Sequence, residues 1–158
     1  MILAVDVGNS NTTVGLFNGT GELLFRALLE TSRSKTRDQC AIELLGVFQL
    51  YGADACTVDG AILSSVVPPL TTIFTDAIAR LTGIPPMVVG PGIRTGLNIK
   101  AEIHNQLGSD IVASSVAAIA KYPSPIVMVD MGTATSLSLI VGSVYEGCII
   151  MPGLALAL

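Results

Sequence analysis

The chain has 158 residues, 51% hydrophobic and 13% charged, which argues against disorder and allows one domain plus part of another. Its net charge is −4, and because it has no large cluster of basic residues, nucleic acid is not expected as a partner. No uncharged run reaches the roughly 18 to 20 residues of a membrane-spanning helix, so the prediction is a cytoplasmic protein without a membrane segment.

Two further features of the composition bear on function. The three cysteines, Cys40, Cys56 and Cys148, are far apart and are expected to be small buried hydrophobic residues. His104 is the only histidine, so a catalytic triad would depend on it alone. The high apolar content indicates an additional buried surface, such as one covered by a partner or by a missing segment.

The chain opens with three predicted strands. Ile2 to Val7 is apolar and rich in β-branched residues, as in a buried strand, and Thr13 to Phe17 alternates as its neighbour. Asn18 to Gly21 is a turn signal, and the third strand is predicted at Glu22 to Leu29.

Two helices follow, separated by a buried strand at Ala61 to Val67. Thr36 and Gln39 form a capping box before the first helix. Its predicted apolar face consists of Ala41, Leu44, Leu45, Phe48 and Tyr51. The second helix begins at Pro68 and ends at Gly83. Its apolar residues recur at helical spacing: Leu70, Ile73, Phe74, Ala77, Ile78 and Leu81.

The next segments are a short strand at Met87 to Val89, a glycine-rich loop from Gly90 to Gly96, and a third helix from about Asn105 to Tyr122. The pattern then restarts, because Ile126 to Gly132 repeats Ile2 to Gly8. Both copies are buried strands that end in Val-Asp-x-Gly. This duplication predicts two copies of one α/β unit.

The second copy continues with strands at Ser136 to Val141 and Val144 to Ile150, and with the start of a helix at Leu154 to Leu158. We therefore predict a first domain with a connecting helix over residues 1–122. Residues 123–158 form the first part of a second, incomplete domain.

The two Val-Asp-x-Gly turns carry the chemistry. An aspartate at the carboxyl end of a buried strand lies at the sheet edge where α/β folds bind ligands, and the glycine lets the backbone approach a ligand. Polar residues after Asp6 and Asp130 offer N–H groups and hydroxyls to phosphate oxygens, while each aspartate suits a cation. Ordinary β-turns would contain the same residue types, but the duplication favours a clamp for a triphosphate and Mg²⁺.

Six motifs stand in a recognisable order: Asp6-Val-Gly8-Asn9-Ser10-Asn11-Thr12-Thr13, Ser64-Ser-Val-Val-Pro68-Pro69, Gly90-Pro-Gly92-Ile-Arg94-Thr95-Gly96-Leu97, Gly108-Ser-Asp110, Asp130-Met-Gly132-Thr133-Ala134-Thr135 and Pro152-Gly153. Together they resemble the type III pantothenate kinases, a family of the sugar kinase and actin superfamily. The resemblance covers all 158 residues. It implies an α/β fold with a ribonuclease H-like (actin-like ATPase) domain and the start of a second copy.

The resemblance implies ATP- and Mg²⁺-dependent phosphorylation of pantothenate, the first step towards coenzyme A, by a homodimer that uses a monovalent cation (K⁺ or NH₄⁺). It also implies a role for each matching residue. The ATP phosphates and the metal would be bound by Asp6, Val7, Gly8, Asn9, Ser10, Asn11, Thr12 and Thr13, with Gly132 and Thr133 also contacting ATP. Asp130 would hold the monovalent cation. Asp110 would be the general base within a pantothenate-binding stretch formed by Gly108, Ser109, Asp110 and Ile111.

The sequence departs from the family at the acceptor side. Ile111 stands where the family has an arginine, the natural partner of the pantothenate carboxylate, and Ala101 to His104 replaces Tyr-Asp-Asn-Pro. Family members also continue well beyond Leu158. Three alternatives stay open: a kinase, a non-catalytic relative that binds nucleotide phosphates or regulates a partner, and half of a split protein.

Overall fold

A computed structural model of the protein describes residues 1–90, 93–99 and 107–153. The chain divides into two compact units, Met1–Val89 and Gly90–Leu158. The sequence places the division later, after residue 122. The two divisions differ because the strand at residues 98–99 and the helix that ends at residue 121 belong with the second unit. The helix expected to begin at Leu154 and the only histidine lie outside the described residues.

The first unit contains a five-stranded sheet with the order β3-β2-β1-β4-β5. Its strands are β1 (Ile2–Val7), β2 (Asn11–Phe17), β3 (Leu23–Glu30), β4 (Gly60–Ser65) and β5 (Met87–Val88). The first three pair antiparallel, whereas β4 and β5 continue the sheet in parallel. The predicted strands are therefore confirmed, with ends shifted by one or two residues.

Two helices, α1 (Arg37–Leu50) and α2 (Pro68–Thr82), pack on one face of this sheet. The capping box at Thr36 is confirmed: its hydroxyl accepts from the Gln39 backbone N–H, and the Gln39 side chain accepts from the Thr36 N–H. A 3₁₀ turn at Ala55–Thr57 leads into β4. The core joins alternate strand residues to the buried helix residues Cys40, Leu44, Val47, Phe48, Leu70, Phe74, Ala77 and Ile78.

Two expectations about burial were wrong. On α1, Leu45 and Tyr51 are exposed, because the stripe that faces the sheet runs through Cys40 and Val47 instead. Tyr51 still covers the sheet edge, with its ring stacked on Phe25 at a centroid distance of 4.7 Å. Among the cysteines only Cys40 is buried; Cys56 and Cys148 are exposed.

The second unit contains a four-stranded sheet with the order β6-β9-β8-β7. Its elements are β6 (Asn98–Ile99), α3 (Ser109–Lys121), β7 (Ile126–Met131), β8 (Ala134–Val141) and β9 (Val144–Pro152). Strands β7, β8 and β9 pair antiparallel, as β1, β2 and β3 do, while β6 lies parallel to β9. The predicted repeat is thus present in the strand pairing.

The core of the second unit is small. Ala118 of α3 packs with Ile126, Ile140 and Tyr145 on one face of the sheet. No helix in the described part of the chain is long and apolar enough to cross a membrane.

Candidate functional site

The first turn joins β1 to β2. Val7 pairs with Thr12, so the turn consists of residues 8–11, and the Gly8 N–H donates to the Asn11 carbonyl oxygen at 3.0 Å. A Cβ atom on Gly8 would lie 2.9 Å from that oxygen, closer than real Cβ contacts. Glycine is therefore required here by the close approach of the two backbone segments.

The buried side of this turn is held by two threonines. Thr12 is buried, and its hydroxyl is hydrogen-bonded to that of Thr31 at 2.8 Å. The Thr31 N–H also donates to the Ser10 carbonyl oxygen at 3.0 Å. No site role was predicted for Thr31; the available signal was a hydroxyl residue two positions after the end of the third predicted strand.

The solvent side of the turn carries its polar groups. The side chains of Asp6, Asn9, Ser10 and Asn11 are exposed, and that of Val7 is buried in the core. Thr13 is half-buried and lies opposite Asp6 in the strand register. The exposed polar side chains are therefore a carboxylate near the end of β1 and two amides and a hydroxyl in the turn that follows it.

Strand β4 brings a second hydroxyl-bearing segment beside this turn. Ser64 pairs with Asp6, Ser65 pairs with Val7, and the Val66 N–H donates to the Val7 carbonyl oxygen at 3.0 Å. Because β1 and β4 are parallel, their carboxyl ends meet at one sheet edge, where α/β proteins bind ligands. The serine pair belongs to one of the six sequence motifs, but no site role was predicted for it.

The second turn repeats the first with one residue fewer. Met131 pairs with Thr135, and the Gly132 N–H donates to the Ala134 carbonyl oxygen at 3.0 Å. Asp130 is exposed and lies opposite Ser136, as Asp6 lies opposite a hydroxyl residue in the first turn. The two turns thus share a strand-end carboxylate and a glycine N–H that closes the turn.

Gly153 presses against this second turn. Its N–H donates to the Thr133 carbonyl oxygen at 3.1 Å, and it is buried. A Cβ atom on Gly153 would lie 2.4 Å from the Gly132 oxygen and 2.5 Å from the Thr133 oxygen. The Pro152-Gly153 motif therefore supports the turn, a role that the sequence analysis did not assign to it.

Asp110 lies in the first turn of α3, half-buried, after Gly108 at the N-cap. Its Oδ1 accepts a hydrogen bond from the Ile111 N–H at 2.8 Å, and the amino-terminal end of a helix favours a negative charge. The Ile111 side chain is half-buried and packs against the apolar cluster around Tyr145. A carboxylate and an apolar side chain thus share the start of α3.

Tyr145 belongs to the apolar cluster against which Ile111 packs. It is fully buried, and its hydroxyl is hydrogen-bonded to the Ser138 hydroxyl at 2.8 Å. The pKa of Tyr145 is raised to about 12, chiefly by burial of the phenol. The hydrogen bond to Ser138 opposes this rise, while Cys148 and the charge of Asp110 add to it. The phenol therefore stays protonated and available as a hydrogen-bond partner at neutral pH.

Within the described residues, no three histidine, cysteine, aspartate or glutamate side chains converge to hold a metal ion. Asp6 belongs to the first unit, and Asp110 and Asp130 to the second. A Mg²⁺ ion bound through one or two carboxylates takes its other ligands from water and substrate phosphates. The single exposed carboxylate of the first turn fits that mode of binding. The roles assigned to the site residues, including metal binding by Asp6, stay predictions.

Comparison with known protein sequences agrees with the resemblance to the type III pantothenate kinases. A family model for type III pantothenate kinases matches residues 2–158. A type III pantothenate kinase of Listeria monocytogenes is 39% identical over 158 residues, which are 99% of this chain and 61% of the relative. The type III pantothenate kinase of Geobacillus sp. (strain WCH70) is 40% identical over 158 residues, with the same shares covered. The chain thus spans about three fifths of the length of these curated relatives.

Among solved structures, the chain is similar to a Sinorhizobium meliloti protein described as a 2-dehydro-3-deoxygalactonokinase. The TM-score is 0.56 at 13% identity, over 95% of this chain and 53% of that chain. At this identity the likeness concerns the fold alone. It confirms the predicted α/β, ribonuclease H-like (actin-like ATPase) class.

Proposed function

The chain belongs to the type III pantothenate kinase family, and from this we propose that it acts in the ATP-dependent phosphorylation of pantothenate, the first step of coenzyme A biosynthesis. The observation that carries the proposal is the family match from residue 2 to residue 158, which includes both aspartate turns. The relatives are longer than this chain, so the activity of the whole protein is part of the proposal.

In this proposal the first turn binds the phosphates of ATP. The exposed side chains of Asn9, Ser10 and Asn11 supply neutral hydrogen-bond donors, which suit phosphate oxygens. Asp6 is the carboxylate that would hold Mg²⁺ or its water shell. The ion would neutralise charge on the transferred phosphoryl group.

The second turn is also assigned ligand roles in this proposal. We assign Asp130 to the monovalent cation, K⁺ or NH₄⁺, and Gly132 and Thr133 to ATP contacts. This assignment is supported by the shared geometry of the two turns, in which a strand-end carboxylate precedes a glycine N–H that closes the turn.

Asp110 is the proposed general base. Its carboxylate would accept the proton of the pantothenate hydroxyl while that oxygen forms a bond to the γ-phosphorus and the bond to the β-phosphate oxygen breaks, releasing ADP. The structure supports this role with the half-buried position of Asp110 in the first turn of α3.

A second candidate function is binding of nucleotide phosphates without phosphorylation of pantothenate. The observation that favours it is Ile111, which packs against the apolar cluster of the second unit and has no group that could pair with a carboxylate. Such a protein would regulate a partner or act as half of a split enzyme.

An ATP-consumption assay with pantothenate and Mg²⁺, in the presence of K⁺, separates these functions. A kinase shows pantothenate-dependent turnover that Asp110→Asn reduces by about two to four orders of magnitude without loss of ATP binding. The matched control is Asp59→Asn, which alters an exposed carboxylate bonded to the chain's amino terminus. ATP binding without turnover by the unmodified chain would support the second function. If the unmodified chain neither binds ATP nor shows turnover, both proposed functions are contradicted.

A homodimer and a cytoplasmic location belong to the same proposal. The family resemblance supports both, and the exposed apolar side chains of the second unit give an association surface. Light scattering on the purified chain measures the mass, and a monomer at micromolar concentration would contradict the dimer.

A further inference from the structure

A short group of basic residues, Arg33, Lys35 and Arg37, follows the end of β3 in the first unit. Two of the three are paired with carboxylates. Lys35 Nζ lies 2.9 Å from Glu43 Oε2, and Arg37 Nε lies 3.3 Å from Asp38 Oδ1. The Arg33 side chain is exposed and forms no ion pair with any residue that the structure describes. One cation of this group is therefore available to a ligand.

The loop that carries Arg33, residues 31–36, begins at the same edge of the sheet as the first aspartate turn. Strand β3 pairs antiparallel with β2, and β2 pairs antiparallel with β1. Strand β3 therefore runs parallel to β1, and the two strands end at the same edge. Strand β4 ends there as well, because it is parallel to β1. The topology thus brings the start of this loop beside the proposed phosphate site.

Two hydrogen bonds fasten the start of the loop to the turn itself. The Thr31 N–H donates to the Ser10 carbonyl oxygen at 3.0 Å, and the hydroxyls of Thr31 and Thr12 are 2.8 Å apart. Arg33 is two residues beyond Thr31, which limits the separation of their Cα atoms to about 7 Å. An arginine side chain that starts so near the turn is long enough to contact a ligand held there.

The rest of the loop is held in shape by its own contacts. The Lys35 N–H donates to the Ser32 carbonyl oxygen at 3.3 Å, and the hydroxyls of Ser32 and Ser34 are 3.0 Å apart. Lys35 Nζ also donates to the Glu30 carbonyl oxygen at 2.6 Å. Arg33 therefore lies at the tip of a closed turn, so little backbone entropy is lost when its side chain binds a ligand.

The aspartate turn has no positive charge of its own. Its exposed side chains are the Asp6 carboxylate, two amides and a hydroxyl, whereas the phosphates of ATP are anionic. We propose that Arg33 supplies the missing charge and that its guanidinium binds the phosphates of the ATP held by residues 8–11. A guanidinium suits this role because two parallel N–H groups match the spacing of phosphate oxygens. The inference rests on the proposed function and adds a binding residue to it.

Calorimetric titration of the full chain with ATP and Mg²⁺ tests this role. We expect Arg33→Gln to weaken ATP binding about tenfold to a hundredfold, because charge-assisted hydrogen bonds are lost. Arg33→Lys keeps the charge but not the paired N–H groups, so it should recover part of that loss. The affinity of the unmodified chain should fall as salt is added, and the affinity of Arg33→Gln should fall less steeply. A purely structural role of Arg33 would leave the salt dependence unchanged.

Arg26→Gln is the matched control, because it removes the same charge from an exposed arginine within β3. Arg26 is five residues before Thr31, about 17 Å along an extended strand, so this variant should bind ATP as the unmodified chain does. Chemical denaturation checks that each variant is folded.

Equal ATP binding by Arg33→Gln and the unmodified chain would overturn this inference and leave the proposed function standing. Equal weakening by Arg33→Gln and Arg26→Gln would also overturn it, since net charge alone would then account for the loss. An unmodified chain that binds no ATP would overturn the proposed function and this inference together.

Discussion

Gly153 donates its backbone N–H to the carbonyl oxygen of Thr133 at 3.1 Å, which joins the end of β9 to the second aspartate turn. The two backbones are so close that a Cβ atom on Gly153 would lie 2.4 Å from the Gly132 oxygen. A residue twenty positions later in the chain therefore fixes the shape of a turn to which a ligand role is assigned.

Gly153→Ala should displace this turn. The obstructing atoms are backbone, which cannot move aside as a side chain could, so we expect a loss of about 1–3 kcal/mol in the free energy of unfolding. Chemical denaturation measures it. Gly147→Ala, in the strand β9 that ends just before Gly153, is the control, because its Cβ would meet no atom within 4 Å. Equal stability of the two variants would show that the turn does not depend on this contact.

Gly8→Ala should weaken the binding of ATP more than it weakens the fold. Its Cβ would lie 2.9 Å from the Asn11 oxygen, so the loop between β1 and β2 must open to accommodate it. We expect a loss of affinity of about tenfold or more, by analogy with small displacements of positioning groups. Calorimetric titration with ATP and Mg²⁺ gives the value, and Gly19→Ala, in open space, should bind as the unmodified chain does.

Thr12→Val should destabilise the first unit through its hydrogen bond to Thr31. The 2.8 Å bond is shielded from water at Thr12, so removing one hydroxyl should cost about 1–2 kcal/mol. Thr31→Val removes the hydroxyl but keeps the backbone hydrogen bond to Ser10, so it measures the contribution of the bond between the two hydroxyls alone. Denaturation of both single variants and the double variant gives the coupling energy, and strict additivity would refute the pairing.

Tyr145 should make the stability of the second unit fall at high pH. Its pKa is about 12 in the folded chain, against 10.0 ordinarily, so between these values the unfolded state loses the phenolic proton first. The contribution is complete below pH 10 and is lost as the pH rises through about 12, amounting to about 3 kcal/mol. Denaturation of Tyr145→Phe across this range should show a shallower decline than the unmodified chain. Tyr122→Phe, at an exposed position, should decline as the unmodified chain does.

Local signals predicted most of the elements. The Thr36 capping box and the two prolines that begin α2 act within a few residues, so the sequence places both helix starts correctly. The face of α1 was less predictable. Leu45 and Phe48 have similar hydrophobicity, and only the position of the sheet decides which of them is buried.

The duplicated Val-Asp-x-Gly turns can be predicted from the sequence alone, because a buried strand that ends in a polar turn is a local pattern that recurs 124 residues later. The residues that support each turn depend on strand pairing, which is visible only in the folded chain. Thr31 reaches the first turn through the pairing of β3 with β2, and Gly153 reaches the second through the pairing of β9 with β8. The folded chain also shows that Val129 is exposed while Val5 is buried, because burial depends on which elements pack against a strand and not on the strand's own residues.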